Sequence, residues 1–153
     1  MAAVCNQEEV LRNLKDALGD EQTPHSKINS RDNRGPDHIH IDADGKRYYF
    51  EAIAFSKPGG KNQSDFWKAF AQAISRLNPG SIWGKPDYVA IALPSEYLDG
   101  WLQRVKNHGD YVWSRIGTAF PELQIWFVSK DGIQPYSWND AYDWEHSPQL
   151  SIK

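Results

Sequence analysis

A chain of 153 residues is large enough for one domain with a core of its own, and its net charge of −3 excludes a strongly basic nucleic-acid binder. Contact with phosphate would therefore need a local basic patch or a bound metal ion. The single cysteine, Cys5, excludes an internal disulfide framework, and no run approaches the roughly 20 apolar residues that span a bilayer.

The N-terminus MAAVCNQEEV has no basic region followed by a long apolar run, so no signal peptide is expected and the chain reads as soluble and cytoplasmic. Asn6 to Leu18 is predicted to be a helix. Asn6 can cap it, Glu9 holds the capping-box position, Gly19 can end it, and Val10, Leu11, Leu14, Ala17 and Leu18 form one apolar stripe. Residues 20–35 are polar. His25 to Ser30 can form a short first strand, and Lys27, Arg31 and Arg34 cluster just before Asp37. These cations are either solvated loop charges or a phosphate contact, since Arg presents a fork matched to phosphate oxygens.

From Arg34 to Phe55 the sequence RGPDHIHIDADGKRYYFEAIAF reads as two strands joined by a tight turn. Asp-Gly between two alternating runs is a hairpin signal. With a three-residue loop and Gly45 in the left-handed position, Asp42 pairs with Lys46 and Asp37 lies opposite Glu51. Two acids so placed can share a divalent cation. A two-residue Asp44-Gly45 loop would instead put them on opposite faces. His38, His40 and Asp42 project from the other face of the first strand, and imidazoles at that spacing can bind Zn²⁺. The bland alternative is two half-exposed histidines on the outer face of an edge hairpin.

A turn-rich loop, SKPGGKNQSD, leads into a helix expected over Phe66 to Leu77 with Ser64 as its cap. Phe66, Phe70, Ala73, Ile74 and Leu77 form its buried side, and Lys68, Gln72, Ser75 and Arg76 a polar stripe. Asp87 to Leu93 and Leu123 to Val128 are apolar runs that suit buried central strands. Between them a helix is expected from Ser95 to about Lys106 and another from Tyr111 to Phe120. Asp131-Gly132 turns into a last strand, Ile133 to Trp138. Residues 139–153 read as a loosely packed tail after a domain spanning 1–138. Most of the seven Trp are expected in the core or at a contact surface. The order α-β-β-β-α-β-α-β-β predicts an α/β domain, a mixed sheet with helices on both faces.

Pro36-Asp37, thirteen intervening residues, then Glu51-Ala52-Ile53 at the end of an apolar strand resembles the restriction-endonuclease-like, or PD-(D/E)XK, nucleases. The order of elements from about residue 6 to 137 fits that family, as does AQAISRL in the following helix. The resemblance implies an αβββαβ core and Mg²⁺- or Mn²⁺-dependent hydrolysis of phosphodiester bonds, with DNA as the partner. It implies that Asp37, Glu51 and the Ala52 carbonyl hold the metal, that the first helix can lend an acid, here Glu9, and that a homodimer can form. Ile53 departs from the family, standing where a Lys assists the attacking water. Lys68 is read as its replacement, reaching in from the helix with Gln72 to position substrate. Lys27 is the alternative, while Lys57 would lie about 20 Å along the strand from Glu51. A second reading is a degenerate nuclease fold that binds nucleic acid or protein. A third is a zinc hydrolase, because His38-x-His40-x-Asp42 resembles the start of the metallo-β-lactamase-like metal motif, with Ala43 in place of that family's next His.

Overall fold

The computed structural model describes residues 6–21, 35–55, 62–80, 83–101, 105 and 109–152. The proposed strand at 25–30 and the cations Lys27, Arg31, Arg34 and Lys57 lie outside them.

The first hairpin follows from its turn. Gly45 sits at φ +80°, a conformation open to residues without a Cβ, and donates its N–H to the Asp42 carbonyl at 3.0 Å. This is the three-residue loop. β1 (His38–Ile41) then pairs antiparallel with β2 (Arg47–Ala52), His38 opposite Phe50 and Ile41 opposite Arg47. Continued by one residue, that register sets Asp37 across from Glu51. The Asp42 carboxylate closes the turn, accepting the backbone N–H groups of Asp44 and Lys46 at 2.9 Å each. Asp42→Ala should therefore lower stability by about 1–2 kcal/mol, read from a urea melt. No change would mean the loop holds its shape through Gly45 alone.

β3 (Tyr88–Pro94) and β4 (Leu123–Ser129) are the two apolar runs, and both are buried. β5 (Gly132–Ser137) returns beside β4. The result is a five-stranded mixed sheet in chain order, with β2, β3 and β4 parallel and an antiparallel strand at each edge. Helices cover both faces. On one, α1 (Gln7–Leu18) lays Val10, Leu11 and Leu14 on Tyr48, Phe50, Ala52, Ala90, Ala92, Trp126 and Val128. On the other, α2 (Asn62–Ser75), α3 (Gly109–Ala119) and α4 (Trp138–Tyr142) pack against Tyr49, Val89, Ile91, Leu93, Ile125 and Phe127. Among the described residues no helix is long and apolar enough to cross a membrane.

Three expectations are corrected. The helix expected from Ser95 opens as a 3-10 turn, Ser95–Leu98, and is interrupted at Gly100, which takes φ +76°; Trp101 and Val105 beyond the break are helical and buried as expected. α2 begins at Asn62, so Ser64 is inside the helix. Asp65 in its first turn complements the helix dipole. The segment after residue 138 is folded rather than loose. Ala141 is fully buried, Ile152 packs on the α1 side, and the Leu150 N–H donates to the Pro135 carbonyl at 2.8 Å. The anchors are aromatic: Trp113 and Trp138 stack at 3.7 Å, each donating its Nε1–H to the other's backbone carbonyl.

Candidate functional site

Asp37 and Glu51 meet where β1 begins and β2 ends. Glu51 points to the α2 side of the sheet and is 3% exposed. Its Oε1 accepts from Arg76 Nε at 2.7 Å, and Arg76 Nη2 also donates to the Gly35 carbonyl at 3.1 Å. Burial above all, and then the adjoining Asp37 carboxylate, push the Glu51 carboxyl up to about 7, against the pull of Arg76. Asp37 is bound from the strand and from α1. Its Oδ2 accepts the Ala52 N–H at 2.9 Å and Gln7 Nε2 at 3.1 Å. The same Gln7 nitrogen donates to the Ala52 carbonyl, also at 3.1 Å.

Gln7 thereby marks a point on which a carboxylate oxygen and a backbone carbonyl converge, with a second carboxylate adjoining. Oxygen donors of this kind suit a hard divalent cation such as Mg²⁺. No family model, curated protein or solved structure matches the chain.

The structure joins Asp37, Glu51 and Ala52 as the sequence expected, but supplies different neighbours. Glu9 is not the residue α1 brings to the acids. Its N–H is capped by the Asn6 side chain at 2.8 Å, and it lines a groove of about 500 Å³ with Arg12, Ser95 and Lys130. Gln7 reaches the acids because it continues the stripe of Val10, Leu11 and Leu14 one turn back, at i−3, i−4 and i−7. Lys68 is not the cation at the pair. Lys68 and Gln72 are exposed on the outer side of α2, and no hydrogen bond or ion pair from either to the acids occurs among the described residues. Arg76 makes the contact because it lies three residues beyond the buried Ala73 and seven beyond Ala69, at the margin of the sheet-facing side. Gln7 had a signal in the sequence, as a polar residue extending an apolar stripe past its end; Arg76 had none of that kind, since it shares a polar stripe with Lys68 and Gln72 and precedes the apolar Leu77. Ile53, where the Lys was missing, packs into the core.

The histidines are held by a residue that no motif indicated. Asp20, just past the end of α1, accepts from His38 Nε2 at 2.6 Å and from His40 Nδ1 at 2.9 Å. Burial lowers the His38 pKa, against the pull of Asp20. Their face is covered on the α1 side rather than turned outward, and Asp42 is committed to the hairpin turn. Among the described residues no group of three or more His, Cys, Asp and Glu side chains is placed to hold a metal ion, either at the histidines or at Asp37 and Glu51, where two carboxylates are joined by a backbone carbonyl. The zinc reading of His38, His40 and Asp42 is not supported.

Proposed function

We propose that this chain is a divergent nuclease of the restriction-endonuclease-like type, hydrolysing phosphodiester bonds, with DNA as substrate, at a divalent cation held by Asp37, Glu51 and the Ala52 carbonyl. The observation that carries this reading is the convergence of Asp37 Oδ2 and the Ala52 carbonyl on one nitrogen, beside a second carboxylate. The order α1, hairpin, α2 and parallel β3 supports it, since the family places its acids on such a hairpin.

When bound, Mg²⁺ or Mn²⁺ would polarise the phosphate and lower the pKa of a water. The chain's own residues set the rest. Asp37 is oriented by the Ala52 N–H, which fixes the angle of its carboxylate. Arg76, held at Glu51 and at the Gly35 carbonyl, offers a lasting positive charge to a phosphoryl oxygen. As an arginine it supplies the positive charge of the missing Lys but not a general base. A slow enzyme follows from this arrangement.

Calorimetric titration of the protein with Mg²⁺ and Mn²⁺, beside Asp37→Asn and Glu51→Gln, tests the site. We expect binding to the wild type and its loss, by tenfold or more, in Asp37→Asn. Absence of binding at millimolar metal, with the variants folded, would rule out the nuclease reading. It would favour the second reading, a degenerate fold that binds nucleic acid or protein. That alternative draws support from the buried Ile53 and from Arg76 already occupying Glu51 Oε1. Under it, Asp37→Asn leaves partner binding unchanged.

A further inference from the structure

We propose that Gln7 is a built-in competitor for the cation: its side-chain amide occupies the metal position and must leave before the site can load. This inference rests on the metal-site reading above. The orientation of the amide follows from its neighbours. Asp37 Oδ2 and the Ala52 carbonyl both accept, so only the NH₂ end of Gln7 can face them, and it stands 3.1 Å from each. A partly positive donor thus satisfies the two oxygens that a cation would need. While it stays there, neither oxygen is open to a metal ion on that side.

The amide is placed to leave as well as to hold. Gln7 is exposed in the first turn of α1, and the buried grip of that helix begins three residues later at Val10. A rotation of the Gln7 side chain opens the site while Val10, Leu11 and Leu14 stay on the sheet. Released amide hydrogens then find water, so opening is inexpensive but not free. Asp20, at the other end of α1, is tied to His38 and His40 and keeps the helix in place throughout. The cation affinity of the wild type is therefore an apparent one, reduced by the fraction of molecules in which Gln7 is bound inward.

Two substitutions separate this role from a supporting one. Gln7→Ala removes the competing amide and should tighten Mn²⁺ binding about tenfold by calorimetry, the scale set by one hydrogen bond to a charged group. Gln7→Glu puts a carboxylate within reach and should tighten it further. In the full chain, the side-chain NH₂ resonances of Gln7 should move toward free-amide positions as Mg²⁺ is added, with the same midpoint as binding. Unchanged affinity in Gln7→Ala, or weaker affinity in a folded variant, would overturn the proposal. So would Gln7 resonances that stay fixed while the metal binds. If Asp37→Asn binds metal as well as the wild type, the metal-site reading itself fails, and this inference with it.

Discussion

Glu51→Gln should be more stable than the wild type in metal-free solution, by a margin that grows from near zero at about pH 4 to about 3 kcal/mol at about pH 8. Glu51 is buried beside Asp37, and its carboxyl moves from 4.5 in a free chain up to about 7 in the fold. A raised carboxyl pKa means that the folded state holds the proton more tightly than the unfolded one. The stability this contributes is fully present below 4.5 and is lost as pH rises through about 7. Gln carries no proton to lose and keeps an oxygen for Arg76, so the variant escapes the loss. Thermal or urea melts at a series of pH values measure the difference. A margin that does not vary with pH would show that Glu51 titrates normally. A margin of opposite sign would show that Arg76 outweighs burial and Asp37. The prediction also explains why such a pair suits a site rather than a core: the stability lost by ionising Glu51 is what a bound cation would restore.

Trp138→Ala should destabilise the protein by about 3–5 kcal/mol, enough to remove most of the stability of an ordinary domain. The indole is 1% exposed and stacks on Trp113 with an interplanar angle of 10°. It also lies against Phe66 and Phe70 of α2, so one side chain joins three helices. Its Nε1–H to the Trp113 carbonyl would be lost, leaving a buried acceptor. Trp144→Ala, at a half-buried position packed on the same cluster, serves as the comparison and should have a smaller effect. Equal and small effects on urea midpoints would mean that the C-terminal segment is dispensable after all.

The hairpin was legible because its information is local. Asp44-Gly45 selects the turn, the turn selects the register, and the register brings Asp37 opposite Glu51. The buried strands β3 and β4 and the helices α1 and α2 were legible for a similar reason, since apolar period and chain breakers act over a few residues. The C-terminal helix was missed because Trp138, Ala141 and Trp144 have too little sequence between them to display a period. Their burial depends on Trp113, 25 residues away from Trp138. The helix expected from Ser95 is broken near its start because Gly100 takes a positive φ, which leaves a 3-10 turn before it and helical Trp101 and Val105 beyond it.

By itself, the sequence determined the α/β layering, the hairpin and the two acids on it, since alternation, turn chemistry and helical period are properties of neighbouring residues. Only the tertiary structure decided what surrounds those acids. Gln7 lies 30 residues from Asp37, Arg76 lies 25 from Glu51, and Asp20 lies 18 from His38. Which end of which helix comes over which strand is set by how apolar stripes seat on the two faces of the sheet. A polar residue at the end or the margin of such a stripe is carried to wherever that packing puts it. Here Gln7 and Arg76 were carried from opposite faces to one pair of carboxylates, and Lys68, on the outward side of α2, was not.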